Sequence, residues 1–560
     1  MSEAAALRSV PSVDVERGAP DWSSDSRDIV VGKDILELLS SSMYIDPMTI
    51  YREYAQNSAD AIDDAHRIGS LHIKESGRVD ITINAVSRII RIRDNGTGLA
   101  WHEFVQRLSN LGASRKRGTQ ARGFRGVGRL AGLGYCQELI FRSRVPSERL
   151  VSEMRWDCRL LKSALRSTDN EQQHLGEIVK SIVATRRTQS TDYPDHFFEV
   201  ELKGVIRHRD DRLLNAVAVG DYLSQVAPVP FAPEFTFGAE IESALTGHVN
   251  LANLQIRINA SANPLYRPHR NSFLINEVAQ DKITELEIKA LNDVNGNVAA
   301  IAWIAHHGYY GALPNKALIK GIRLRSGNVQ VGDHALLESM FSESRFNAWA
   351  IGEVHIIDKR VLPNGRRDHF EQSSHFDNLL NQLTPLIREI ARRCRDSSIA
   401  RKWVREFELQ KTAILEHTKV IRRGALNRQA RKSRADSIAK ALKSIDKIIA
   451  TRHIDENTRQ ALSKQATALH AGVIKALGAQ ASEIDPLDQF SPTERKAYQN
   501  IISLIYDCTS KAAAISLVDK LLSRLGHQRA SAKAPKKTRG IGKTRPRHAK
   551  QAVQRSRRKR

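Results

Sequence analysis

YREYAQNSADAIDDAHRIG, residues 51–69, decides how the rest of the chain is read. The segment reads as a helix that carries its chemistry on one face. Glu53, Asn57 and Asp60 fall at i, i+4 and i+7, which at 100° per residue brings them within roughly 60° of one another. An ordinary amphipathic helix puts apolar side chains on such a stripe and charge opposite it. Here a carboxylate, a carboxamide and a second carboxylate share the stripe, flanked by Ala55, Ser58, Ala59 and Ala61. A solvated face with a chance asparagine has the same pattern, so the neighbouring segments decide.

Downstream, residues 79–83 and 88–93 read as two short strands joined by a turn at 84–87. The second strand ends in RDNGTGLA, residues 93–100. A carboxylate at a strand end, Asp94, followed by Gly96 and Gly98, marks a loop whose backbone approaches a ligand closely, because glycine lacks a Cβ. Alone the pattern is weak, since many turns share it. Third comes LSNLGASRKRGTQARGFRGVGRLAGLGY, residues 108–135, in which Gly123, Gly126 and Gly128 precede a helical run at 129–134. Glycines opening a helix leave free N–H groups and a dipole that favours phosphate. The spacing is GxxGxG, not the GxGxxG of a dinucleotide fold, and GIGKT at 540–544 lacks the first glycine of a Walker A loop.

Together the three segments resemble the GHKL ATPase superfamily, which includes gyrase, mismatch-repair ATPases, histidine kinases and the ninety-kilodalton heat-shock chaperones. The chaperone branch is the most similar by eye, over residues 34–144. The resemblance implies an α+β chain built on a GHKL (Bergerat) ATP-binding α/β sandwich, with ATP and Mg²⁺ as cofactors. Glu53 matches the general base that activates water, a task suited to a well-placed carboxylate. Asn57 matches the Mg²⁺ ligand. Asp94 matches the carboxylate that accepts from the adenine amino group, and Gly96 and Gly98 the loop closing on the base. Lys116 matches a phosphate-contacting lysine, with Arg115 and Arg117 as substitutes. Gly123, Gly126, Val127 and Gly128 match the backbone donors to the phosphates. Asp60 either lies near the ribose or caps a local network. Two departures stand out. The segment from Lys116 to Gly123 is short for a chaperone lid, and His196, opening HFFEVEL, falls where a threonine usually touches the adenine site.

Later segments extend the resemblance. Residues 212–225 read as a helix, and strand-like stretches follow at 254–258, 298–305, 321–325 and 350–357. LPNGRRDHFE, residues 362–371, corresponds to a loop that delivers an arginine to the γ-phosphate, so Arg366 and Arg367 are both candidates. The same residues also read as a turn at Asn364–Gly365 followed by exposed arginines. Residues 377–525 are helical in pattern, with Ile438, Leu442, Ile445 and Ile449 on one stripe. The expected division is a disordered 1–28, an ATP-binding domain at 29–235, an α+β second domain at 236–375, a helical domain at 376–525 and a basic disordered tail at 526–560. His306–His307 beside Tyr309–Tyr310 reads as a core or surface feature, not a metal site.

Composition narrows the classes. At 560 residues the chain is too long for one domain, and no run of 18 apolar residues suggests a membrane span. The polar N-terminus shows no signal segment, and four scattered cysteines form neither a disulfide framework nor a metal pattern, so a reducing cytoplasm is expected. The thiols are expected to be buried. Of the net charge of +25, the tail from residue 526 supplies fourteen basic residues and no acid. Such a tail binds polyanions or is merely solvated. KVIRRGALNRQARKSR, residues 419–434, is a second basic stretch, read as an exposed helix or a nucleic-acid face. The expected function is Mg²⁺-dependent ATP hydrolysis driving a conformational cycle that joins two protomers in a clamp, with protein clients as for a chaperone. The alternative is a nucleic-acid-associated ATPase of the mismatch-repair or chromatin type. A histidine kinase is the weakest reading, because no histidine precedes His66.

Overall fold

The computed structural model describes residues 46–72, 75–109, 128–166, 175–207, 210–251, 254–275, 280–422, 425–478 and 487–532. It divides into two compact units at residues 398 and 399.

In the first unit the decisive stretch is helix α1, Thr49–Arg67. Ile50, Tyr51, Tyr54, Ala55, Ala59, Ile62 and Ala65 bury its apolar side. Residues 77–258 build a seven-stranded sheet from β1 (Gly77–Asn84), β2 (Ile89–Asp94), β3 (Glu138–Arg144), β4 (Leu150–Asp157), β5 (Val183–Gln189), β6 (Phe197–Lys203) and β7 (Leu254–Ile258). Their order is β5-β4-β3-β6-β2-β1-β7. All neighbours are antiparallel except β1 and β7. Alternation is strict in β1, where Val79, Ile81 and Ile83 are buried and Arg78, Thr82 and Asn84 exposed. One face is therefore covered by a core shared with α1, α2 (Trp101–Ser109), α3 (Cys158–Arg166), α4 (Leu175–Ile182) and α5 (Ala216–Val226). The other face carries a cross-strand ladder of ion pairs. Arg91 pairs with Glu201, Arg93 with Glu199, Arg142 with Glu199, Glu201 and Glu153, and Arg186 with Glu153.

The run at 129–134, expected as an ordinary helix, is a 3₁₀ segment over Gly128–Gly134. The helix expected at 212–225 is a short 3₁₀ turn, Arg212–Leu214, followed by α5. β7, read from sequence as part of the second domain, completes the first sheet instead. Before reaching it, the chain sends Phe231, Phe235 and α6 (Gly238–Leu245) into a different core.

That second core belongs to a five-stranded sheet of order β10-β11-β14-β12-β13. Its strands are β10 (Glu285–Asn292), β11 (Val298–His306), β12 (Gly321–Ser326), β13 (Val329–Val331) and β14 (Ile351–Ile356), preceded by a small hairpin of β8 (Ser272–Leu274) and β9 (Gln280–Lys282). β11 and β14 are buried along almost their whole length, because both faces are covered. Phe231, Phe235, Ile241 and Leu245 cover one face. Leu379, Leu383, Leu386, Ile387 and Ile390, from the start of α7 (Ser374–Arg422), cover the other. Arg267, Arg325 and Glu353 are buried where the sheet meets the first domain. Both arginines bind the Glu353 carboxylate, and Arg325 also donates to the Ala227 and Asn328 carbonyls.

The second unit is helical and holds the rest of α7, then α8 (Arg428–Ile449), α9 (Glu456–Gly478), α10 (Pro492–Cys508) and α11 (Lys511–Ala532). Ile438, Ala441, Ile445 and Ile448 are its buried stripe on α8, with Leu442 and Ile449 partly buried beside them. The basic stretch at 419–434 is not one helix. α7 ends at Arg422, Ala425 takes a positive φ of 57°, and Asn427 caps α8 by accepting from the Ala430 N–H. Three cysteines are buried, but Cys508 is exposed. The segments 1–28 and 526–560 extend beyond the described residues, apart from the part of α11 that reaches Ala532.

Candidate functional site

The α1 helix meets the loop at 362–371, the Gly128–Gly134 segment and the end of β2 along its length. Glu53 and Asp60 are nearly buried, at 6% and 5% exposure, while Asn57 between them is half-buried. Two carboxylates at such burial are unusual unless each has a partner. For Glu53 the partner comes from the loop at 362–371, beyond the five-stranded sheet. Arg367 Nε lies 3.2 Å from Glu53 Oε1, and Arg52 Nε is 3.9 Å from the same oxygen. The other oxygen, Oε2, rests against Gly128, where a Cβ would collide with it. Gly128, the last of the three glycines read as a phosphate loop, thus makes room for the carboxylate.

The arginine loop is tied down by its own turn and by α1. Arg367 N donates to Asn364 O, Asn364 N donates to His369 O, and Pro363 bridges Phe370. Arg52 then donates to the carbonyl of Arg366 at 2.9 Å and to that of Arg367 at 3.3 Å. Arg367 adopts a φ of 56°, which turns its side chain inward, whereas Arg366 is exposed. Of the two arginines read from the sequence, Arg367 meets Glu53.

Tyr54 anchors the next wall. Its hydroxyl donates to the Arg129 carbonyl and accepts from the Gly132 N–H, at 3.1 and 3.0 Å, so the 3₁₀ segment is pinned to α1.

Asp94 ends β2 on the same face as Ile90 and Ile92, which puts a carboxyl group in an apolar layer. Burial pushes its pKa up to about 7, and this outweighs hydrogen bonds from Ser58 and from the backbone of Gly96 and Phe198. The Gly96 N–H reaches Oδ1 at 3.0 Å, and His196 Nδ1 lies 2.8 Å from the Gly96 carbonyl. His196 therefore holds the glycine loop from the side opposite Asp94. Gly98 has a φ of 67° and no room for a Cβ, which would strike the Arg144 carbonyl. Gly96 is pressed against Ala61 of α1. Ser143 completes the wall, accepting from Leu99 N and donating to Phe197 O.

Lys116, Gly123, Gly126 and Val127 lie outside the described residues. Sequence reasoning missed Arg52, Tyr54, Ser58 and Ser143. Ser58 was legible as a helix neighbour of Asn57, but the partners of Arg52 lie more than 300 positions away and leave no local pattern. The histidine pair at 306–307 is absorbed by side chains and backbone. His306 meets Tyr309 and Glu287, and His307 meets Asp281 and the Trp349 carbonyl.

Comparison with known proteins finds relatives over the same stretch of chain. Residues 48–182 match the family model described as histidine kinase-, DNA gyrase B- and HSP90-like ATPase. The chaperone protein HtpG of Legionella pneumophila (strain Lens) is 37% identical over 93 residues, 16% of this chain and 14% of the relative. HtpG of Rhodococcus jostii is 32% identical over 87 residues, 15% of this chain and 14% of the relative. The match thus spans about one seventh of these relatives' own length.

Proposed function

Taking residues 48–182 as a domain of the histidine kinase-, gyrase- and HSP90-like ATPase family, we propose that the chain binds ATP and hydrolyses it with Mg²⁺. The carrying observation is that Glu53 and Asn57 share one stripe of α1 while Ser58 of the same helix hydrogen-bonds Asp94 at the end of β2. The donor set suits a nucleotide. A buried carboxyl group beside a glycine loop offers an acceptor to an adenine amino group. Asn57, half-buried on the same helix, offers a neutral oxygen of the kind hard cations take. Asn57 would hold Mg²⁺ there, and the ion when bound would supply neutralisation of the phosphate charge.

The protein's own groups divide the remaining work. Asp94 would orient the base, and the Gly128 N–H would be one of the donors to the phosphates. Glu53 takes the proton of the attacking water once its Oε1 is released by Arg367. A terminal phosphate, which a guanidinium can grip with two parallel hydrogen bonds, is the natural competitor for Arg367. Nucleotide binding would then redirect Arg367 from carboxylate to phosphate and couple the second domain to the site. The conformational cycle and the pairing of two protomers rest on the likeness to HtpG, as does a chaperone-like role. A second reading, association with nucleic acid, is favoured by the net charge of +25.

The test is Mg²⁺-ATP turnover by the full chain beside Glu53→Ala, with ATP binding measured on both. Turnover in the parent, lost in the variant while binding persists, is the expected outcome. Failure of both proteins to bind ATP would remove the reading altogether.

A further inference from the structure

Nearly all of the net charge lies in one unit. Residues 1–398 contain 50 Lys and Arg against 49 Asp and Glu, a net of +1, whereas residues 399–560 contain 37 against 13, a net of +24. The tail from residue 526 does not account for this alone, since residues 399–525 still hold 23 basic against 13 acidic residues. The proposed ATP site therefore sits in a neutral unit, and the helical unit carries the excess.

α8 concentrates part of it. With Ile438, Ala441, Ile445 and Ile448 in the core, the opposite side exposes Arg428, Lys432, Lys440, Lys443 and Lys447. At 100° per residue these five fall within an arc of about 120°. Lys440, Lys443 and Lys447 step along the axis by about 4.5 and 6 Å. Two acids share the arc, Asp436 and Asp446, and Asp446 is engaged by His470 at 3.3 Å. None of the four lysines has a carboxylate in ion-pair reach among the described residues. The first turn of α8 also contains no acid, and it holds Arg428 and Arg431 against the positive end of the helix dipole. Cations crowded there are unfavourable until an anion joins them.

The chemistry of the face selects among polyanions. A helix lying on a membrane needs large apolar side chains on its contact side, but those of α8 are used by the core and the basic arc offers only alanines. Single-stranded nucleic acid is held by stacking on aromatic rings, and the arc has none. A row of unpaired ammonium groups on a straight helix suits the phosphate backbone of a duplex, which is bound through charge without reading bases. We propose that the outer face of α8 binds double-stranded nucleic acid through its phosphates. This deepens the second reading above, and its test is independent of ATP turnover.

The experiment is fluorescence anisotropy of the full chain with a labelled 20-base-pair DNA duplex of arbitrary sequence, titrated across a salt series without nucleotide. The parent should bind with an affinity that falls steeply with salt. In the Lys440→Gln/Lys443→Gln/Lys447→Gln variant the slope of log K against log salt should shrink by about 2 to 3, since each lost phosphate contact removes about 0.9. The matching triple Lys→Arg variant should keep the parent slope, and single Lys443→Gln should lose about one contact. All these side chains are exposed, so thermal unfolding should not move. An unchanged slope in the triple Gln variant would overturn the proposal and leave binding to the tail. Equal or tighter binding to an oligo(dT) single strand would overturn the duplex assignment. So would phosphatidylserine vesicles that bind the parent where the duplex does not.

Discussion

Asp94 stands where the sheet would otherwise place hydrocarbon, and its ionisation is the most sensitive property of the site. Its folded-state pKa is raised from 3.8 to about 7 by burial. The stability linked to this group is complete below the unfolded value and is lost as pH rises toward and through 7. In the proposed adenine contact Asp94 meets the amino group as the ionised form, whose two oxygens both accept, whereas the protonated carboxyl turns one of them into a donor. ATP binding at pH 6 should therefore release a proton and be about tenfold weaker than at pH 8. Calorimetry in buffers of different ionisation enthalpy would detect the proton, and Asp94→Asn should abolish the pH dependence. A flat affinity between pH 6 and 8 would contradict the assignment. Glu53, Asn57 and Asp94 were legible in the sequence because their geometry is local: helix spacing for two, a strand end for the third. The choice between Arg366 and Arg367 was not, since it depends on one residue with positive φ in a turn whose register sequence leaves open.

At the scale of elements, the contact of α1 with the 362–371 loop joins the layer of the seven-stranded sheet to chain that follows the five-stranded one. Arg52 makes it by holding two successive carbonyls. Arg52→Ala removes both bonds and leaves buried acceptors, which should cost about 1–3 kcal/mol locally. Hydrogen exchange at residues 364–368 should accelerate, with kcat falling while ATP affinity stays within a few-fold. Protection unchanged in that loop would show that its own turn suffices. Alternation marked some strands of the first sheet, as in β1, but β4 and β5 went unread. The 3₁₀ form of Gly128–Gly134 was not, because three glycines in seven residues weaken any helix and the Tyr54 hydroxyl, distant in sequence, fixes the result. The basic stretch at 419–434 misled for a related reason: composition is continuous across it, while the backbone turns at Ala425.

For the first unit as a whole, the buried ion cluster bears on stability most directly. Burial alone would raise the Glu353 pKa, yet Arg267 and Arg325 hold it well below the usual carboxylate range. His355, pushed down to about 4 mainly by burial, adds no compensating charge near neutrality. Glu353→Gln would strand two buried guanidinium groups, and breaking such a group of charges typically costs about 3–5 kcal/mol. Urea unfolding should show that loss; a change under 1 kcal/mol would mean water reaches the cluster. The reading marked β1, β2 and β6 but passed over β4 and β5, and it lost the architecture at β7, since a five-residue strand says nothing of which sheet it joins.

That strand has a practical meaning for anyone dissecting the protein. β7 lies parallel to β1 at the sheet's edge, and Asn259 just beyond it both donates to the Ile81 carbonyl and accepts from the Ile83 N–H. A recombinant piece that stops at residue 235 would expose the hydrogen-bonding edge of β1 together with the apolar surface that Leu254 and Ile256 cover. Such a piece should precipitate or self-associate on size-exclusion chromatography. A piece carried through residue 275 should elute with less self-association, even though it brings along chain that serves the other core. The natural cut between the two layers does not exist as a point in the sequence; the chain is stitched through both before it commits to the second.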